Sequence, residues 1–144
     1  MNKIYNNLNI KNLIKTDWIN QFNRKQRIVI KDGLKDNLDV LIYAKPEFDE
    51  YQMNQVKAGL KDNLDVSYYA KKEFDFYQMY QIRFGLLSNL DVSIYAKTDF
   101  DSEQMSQIRL GLIDNLNVSV YAKKEFNWKQ MEEIREKLKN EQNI

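Results

Sequence analysis

The chain of 144 residues contains no cysteine and no histidine. Their absence excludes disulfide frameworks, thiol nucleophiles, imidazole acid–base chemistry, His-based triads and the usual zinc and iron sites. Carboxylate pairs, lysine Schiff bases and carboxylate-held Mg²⁺ stay open in principle, but they need a pocket of convergent polar groups that a short repeat seldom builds. A non-enzymatic protein without metal or cofactor is therefore expected. No apolar run approaches the roughly 18 residues of a membrane span. The first residues, Met1-Asn2-Lys3-Ile4-Tyr5-Asn6-Asn7, lack the apolar stretch of a signal peptide. A cytoplasmic protein with no membrane partner follows as the expectation. Charge of one sign is lacking too: the formal net charge is +1, so no long-range field draws the whole molecule onto nucleic acid.

Glycine and proline are scarce, with four and one occurrences, and the glycines are the key to what is there. Gly33, Gly59, Gly85 and Gly111 follow one another at 26-residue steps, and the same step superposes Leu38-Asp39-Val40, Leu64-Asp65-Val66, Leu90-Asp91-Val92 and Leu116-Asn117-Val118. A fixed period of this size is the signature of a stacked repeat array.

Within each period, Phe48-Asp49-Glu50-Tyr51-Gln52-Met53 and its copies place an N-cap at Asp49, a capping-box glutamine at Gln52 and a hydrophobic staple between Phe48 and Met53. A helix A of about twelve residues should run from there to Asn63, Asn89 or Asn115, residues that tolerate the left-handed closing conformation. Leu64-Asp65-Val66-Ser67-Tyr68-Tyr69 repeats the cap-and-staple spacing, with Leu64 and Tyr69 as its apolar pair, and so predicts a second helix B of under two turns. The single proline, Pro46, falls in the linker to the next helix A.

The expected fold is thus an all-α solenoid of about five helix pairs forming one domain over 1–144. Residues 1–22 form an N-terminal cap, 23–123 the repeats, and 124–144 a polar C-terminal capping helix in which Lys137 replaces the glycine. In the N-terminal cap, Asn7-Leu8-Asn9-Ile10 with Leu13 predicts a longer first helix B, from Ile10 to about Asn20. The helix A glycine, which costs roughly 1 kcal/mol relative to alanine, is read as a point of close packing by a neighbouring repeat or by helix B of the same repeat.

Positions that vary between repeats are where partner specificity can be written. Four such rows converge in the middle copy on Phe76, Tyr80, Phe84 and Leu87, with Tyr77 beside them, and Leu110 and Ile113 extend them into the next copy. Spaced four, four and three apart, they form a second apolar stripe about 100° from the core stripe of Met79, Ile82 and Leu86. Contiguous exposed aromatics of this kind mark an interface with another protein or with a second copy of the chain. Alternatively, superhelical curvature buries the stripe against the adjacent helix A.

A row of bases, Lys31, Lys57, Arg83, Arg109 and Arg135, runs beside this face, and Lys45, Lys71, Lys97 and Lys123 form another. Lys57, Arg83, Arg109 and Arg135 are the candidate phosphate contacts if the array binds RNA or DNA. Equally regular acids, Asp39, Asp65, Asp91, Glu47, Glu73, Asp99 and Glu125, offer ion pairing between repeats as the plainer account of both rows.

Gln104-Met105-Ser106-Gln107-Ile108-Arg109-Leu110-Gly111-Leu112, followed by Leu116-Asn117-Val118-Ser119-Val120-Tyr121-Ala122-Lys123, resembles a short helical repeat of low-GC bacteria, their phages and conjugative elements. The resemblance covers nearly the whole chain after about Phe22. It implies a small stand-alone repeat protein of a mobile element, similar in kind to anti-defence inhibitors that include anti-CRISPR proteins. It carries no functional residue with it.

Overall fold

A computed structural model describes residues 9–143; Asn7 and Leu8, read above as cap and staple of the first repeat, lie outside them. Among the described residues the regular structure is entirely helical. In chain order it comprises α1 (helical over 9–13), the 3₁₀ turn η1 (Asp17–Gln21), α2 (Arg24–Lys35), η2 (Val40–Ile42), α3 (Glu50–Lys61), η3 (Val66–Tyr68), α4 (Phe76–Leu87), η4 (Val92–Ile94), α5 (Ser102–Ile113), η5 (Val118–Val120) and α6 (Trp128–Gln142). The all-α repeat class expected from the period is the fold. Two compact units divide between Lys72 and Glu73. In the first, α2 packs on α3; in the second, α4 packs on α5 and α5 on α6.

Helices α2 to α5 are each 12 residues long because each has a chemical start and stop. At the start of α4, Gln78 N–H donates to Asp75 Oδ1 at 2.8 Å and Asp75 N–H donates to Gln78 Oε1 at 3.0 Å. This reciprocal box recurs at Asn23, Asp49, Asp101 and Asn127 and contributes about 1 kcal/mol per helix. At the stop, Asn37, Asn63, Asn89 and Asn115 take the left-handed conformation, with φ between 55° and 58°. Asn89 N–H then reaches Leu86 O at 3.0 Å and Leu90 N–H reaches Gly85 O at 2.9 Å, the paired bonds of a Schellman closure.

The second element of each repeat is shorter than an α-helix: a single 3₁₀ turn of three residues. Tyr95 N–H bonds Val92 O at 3.0 Å and Ala96 N–H bonds the same carbonyl at 2.7 Å, after which the chain leaves for the linker. The tyrosine expected as a staple residue at position 69 and its equivalents has a further role. Each tyrosine ends its turn and is fully buried, as Tyr43, Tyr69, Tyr95 and Tyr121 show. Its hydroxyl donates to a backbone carbonyl of the preceding helix A: Tyr43 to Val29 at 2.8 Å, Tyr69 to Gln55 at 2.6 Å, Tyr95 to Gln81 at 2.7 Å and Tyr121 to Gln107 at 2.7 Å.

In helical register that carbonyl is also the acceptor of the glycine N–H four residues on. A β-carbon at Gly85 would overlap the Tyr95 hydroxyl and stand 2.6 Å from Val92 Cγ1, and the other three glycines are confined in the same way. The glycine is therefore kept by the turn of its own repeat. It sits on that side of the helix because only there does the tyrosine reach the backbone.

The capping-box glutamine has a third bond. Its Nε2 donates to the backbone carbonyl of the next linker phenylalanine: Gln26 to Phe48 at 2.6 Å, Gln78 to Phe100 at 2.7 Å and Gln104 to Phe126 at 2.6 Å. One side chain thus opens a helix and fixes where the next begins. Of the phenylalanines so held, Phe48 and Phe100 are buried and Phe126 is half-buried; the staple methionines Met53, Met79 and Met105 are buried.

The two ends depart from this plan. The helix expected from Ile10 to Asn20 is broken: the chain is helical over 9–13, and η1 follows. Thr16 causes the break, since its hydroxyl donates to Leu13 O at 2.6 Å and accepts from Trp18 N–H at 3.4 Å, closing one helical segment and opening another. Arg27, standing where later repeats have methionine, donates from Nε to Phe22 O at 2.8 Å and Ile19 O at 3.1 Å, which binds η1 to α2. At the other end α6 buries Met131 and otherwise presents polar, charged or half-buried residues, with Lys137 at the glycine position.

Two predictions follow from the tyrosine clasp. On an unobstructed helix Gly→Ala stabilises by about 1 kcal/mol. Here Gly85→Ala should destabilise by about 2 kcal/mol in urea unfolding, since the added methyl overpacks the clasp. Adding Tyr95→Phe should bring the double variant to less than the sum of the two single losses.

The second prediction concerns alkaline pH. Burial pushes the phenols of Tyr43 and Tyr95 well above the ordinary tyrosine value, and that of Tyr121 to about 12, with Arg135 opposing and Asp114 reinforcing the rise in the last case. The folded state thus holds these protons more tightly than the unfolded chain. Their stabilising contribution is whole below about pH 10, the unfolded tyrosine value, and is lost as pH rises toward the folded values. Unfolding free energy measured at stepped pH should fall between about 10 and 12, with less fall in Tyr121→Phe.

Candidate protein-binding surface

Helix α4 carries two apolar faces. One holds buried Met79 and Ile82 together with Gly85, over which Val92 and Tyr95 close. The second is the expected stripe, and the structure assembles its aromatics into one ladder. Phe76 meets Tyr77 edge-on with ring centroids 5.2 Å apart, Phe76 and Tyr80 are 6.4 Å apart, and Tyr80 and Phe84 lie 4.3 Å apart with planes tilted by 33°. The capping box at Asp75 sets this geometry, because it fixes Phe76 as the first helical residue, with Tyr77 next to it and Tyr80 and Phe84 about one and two turns further on.

The ladder is graded in exposure. Tyr77 is 66% exposed, Leu87 44% and Tyr80 37%, while Phe76 and Phe84 are half-buried. On α5, Ile113 is 45% exposed and Leu110 half-buried. The stripe is therefore partly embedded, with its outer rings and both aliphatic ends open to solvent.

Between α4 and α5 lies an open groove of about 400 Å³, lined by Phe76, Tyr77, Tyr80, Gln81, Ser102, Glu103 and Ser106. A smaller one of about 220 Å³ lies between α5 and α6 and shares Glu103 and Ser106 with the first, adding Gln107 and Trp128. In the first unit the equivalent groove between α2 and α3 is lined by Ile28, Tyr51 and Asn54 and is spanned by the Lys25–Glu50 ion pair at 3.8 Å. These grooves arise because the varying residues of one helix A face the varying residues of the next. The serines opposite Phe76 and Tyr80 leave the middle groove wide.

The candidate phosphate contacts are placed as follows. The Arg83 guanidinium lies over the Phe84 ring at 4.9 Å and the Tyr80 ring at 6.0 Å. Arg109 donates from Nε to Gln81 Oε1 at 2.8 Å, and Arg135 does the same to Gln107 Oε1 at 2.9 Å. Both arginines are half-buried, as is Lys57 in the first unit. Arg109 and Arg135 are thus ties from one helix A to the one before it, whereas Lys45, Lys71, Lys97 and Lys123 are exposed in the linkers.

The ion pairs between repeats also differ from those expected. Besides Lys25–Glu50 they join Lys61 to Asp36 at 3.4 Å and Lys139 to Asp114 at 3.1 Å, side chains at neighbouring helix termini. Asp65 and Asp91 instead accept from the backbone and hydroxyl of Ser67 and Ser93.

No known family model, curated protein or solved structure matches this chain. Among the described residues no helix is long and apolar enough to cross a membrane.

Proposed function

We propose that the chain is a non-enzymatic protein-binding repeat module whose contact surface is centred on α4. The observation that carries this reading is the aromatic ladder. Phe76, Tyr77, Tyr80 and Phe84 lie outside the fully buried core, yet their rings stand together, the first three line an open groove, and Leu87 and Ile113 of the same stripe are exposed. Rigid aromatics bury large area at low conformational cost, which is why they anchor protein interfaces. In the sharper form that the repeat resemblance supports, the module is an inhibitor carried by a phage or mobile element that masks a surface of a host defence nuclease, in the manner of anti-CRISPR proteins.

The basic rows supply the competing account, an RNA- or DNA-binding array through Lys57, Arg83, Arg109 and Arg135. The side-chain bonds of Arg109 and Arg135 to glutamines favour the structural role for those two.

The test is capture of partners from the native host on immobilised protein, comparing the wild type with Tyr80→Ser combined with Phe84→Asp. The wild type should retain a defined protein that the variant loses by about tenfold or more, with the helical circular-dichroism signal unchanged. A partner that is a second copy of the chain registers as a dimer by light scattering, lost in the variant. Identical retention by both proteins, or retention of nucleic acid that falls steeply with salt, contradicts the proposal.

A further inference from the structure

The three grooves repeat one plan, and their sizes follow one side chain. In each, residues at the positions of Tyr77, Tyr80 and Gln81 form one wall, and the first residue of the next helix A stands at the other: Glu50 in α3, Ser102 in α5 and Trp128 in α6. The groove narrows as that residue grows, from about 400 Å³ with serine through about 290 Å³ with glutamate to about 220 Å³ with tryptophan. Glu50 reaches across to Lys25 at 3.8 Å, and Trp128 lines its groove half-buried. Ser102 ends short, so the place that the chain fills with its own side chain in two grooves is open in the third.

Charge does not choose what fits there. Glu103 lines the groove, but Arg109 holds Gln81 and Arg83 lies over Tyr80. A carboxylate like that of Glu50 has no lysine to meet, since Tyr77 stands where Lys25 does. The α4 wall is instead aromatic, with Phe76, Tyr77 and Tyr80 set against one another in the ladder and the Gln81 side chain fixed by Arg109. A flat ring laid on such a wall gains contact that an aliphatic chain does not. Beside it, Ser102, Ser106 and Glu103 offer oxygen acceptors for a ring N–H. We propose that the α4–α5 groove seats a tryptophan side chain of the bound protein, its indole standing against α4 as Trp128 stands against α5. The inference rests on the protein-binding reading above and specifies its partner as a protein presenting an exposed tryptophan.

The probe is the capped tripeptide Gly-Trp-Gly, titrated into the full ¹⁵N-labelled chain and followed by amide chemical shifts, with Gly-Leu-Gly as the apolar, non-aromatic control. Saturable shifts should appear around Tyr77, Tyr80, Ser102 and Ser106, with the leucine peptide binding about fivefold more weakly or not at all. Ser102→Trp fills the groove from within. The equivalent position of α6 carries tryptophan beside an intact capping box, so this variant should keep its helical signal while losing the peptide shifts and the captured partner; Ser102→Ala should keep both. Tyr77→Ala removes an exposed ring and should weaken the tryptophan peptide about fivefold. Absence of saturable shifts, equal binding of the leucine peptide, or peptide binding unchanged by Ser102→Trp and Tyr77→Ala overturns the assignment. If it falls while Tyr80→Ser with Phe84→Asp still releases the partner, the protein-binding reading stands without it. If neither that pair nor Ser102→Trp releases the partner, both readings fall.

Discussion

A tyrosine hydroxyl bonded to a helix carbonyl is the contact on which each repeat depends. The preceding helix A exposes that carbonyl because a glycine four residues on has no side chain to cover it, and the 3₁₀ turn is the length that returns Tyr95 to Gln81. Glycine, valine and tyrosine are three parts of one joint. The arrangement gives a buried phenol the partner it needs. It also explains why a residue unfavourable to helices stands inside helix A at each 26-residue step up to Gly111, and why α6, against which no such turn packs among the described residues, carries Lys137 instead.

Around that joint the repeat is propagated by polar side chains with more than one partner. Gln78 closes the capping box of α4 and holds the linker carbonyl of Phe100, while Gln81 gives its backbone carbonyl to Tyr95 and its side-chain oxygen to Arg109. These buried or half-buried bonds are directional, so they fix the spacing between successive helices more tightly than apolar contact alone. With the scaffold held by invariant letters, the residues that vary are released to face the grooves. Serines at 102 and 106 widen one groove, whereas a lysine and a glutamate span another.

Much of the fold was legible because local rules and the period agreed. Asp75 with Gln78 states a helix start, Asn89 states its end, and repetition at 26 residues turns a weak local signal into an architecture. Helix B was legible as an element of under two turns, but not as a 3₁₀ turn with a hydroxyl clasp, because Leu90-Asp91 with Tyr95 has the spacing of a staple and spacing does not tell whether a tyrosine packs by its ring or bonds by its hydroxyl. The N-terminal break at Thr16 was missed for a related reason: a hydroxyl that serves two segments is invisible without the turn between them. The aromatic stripe was legible as a row, but the groove beside it was not, since Phe76, Glu103 and Ser106 come together only through the packing of α4 on α5. The role of Arg109 was in principle readable, because the glutamine row at 55, 81 and 107 precedes the arginine row at 83, 109 and 135 by a constant interval.

The central claim is that the four phenolic hydroxyls, and not merely their rings, hold each 3₁₀ turn on the helix A of its own repeat. It is tested most directly by replacing Tyr43, Tyr69, Tyr95 and Tyr121 together with phenylalanine and measuring urea unfolding. Removing four buried hydroxyls at about 1 kcal/mol each should lower the unfolding free energy by about 4 kcal/mol, with the helical signal of the native state retained. A loss under about 1 kcal/mol for all four would contradict the account and leave ring packing as the whole of the tyrosines' contribution.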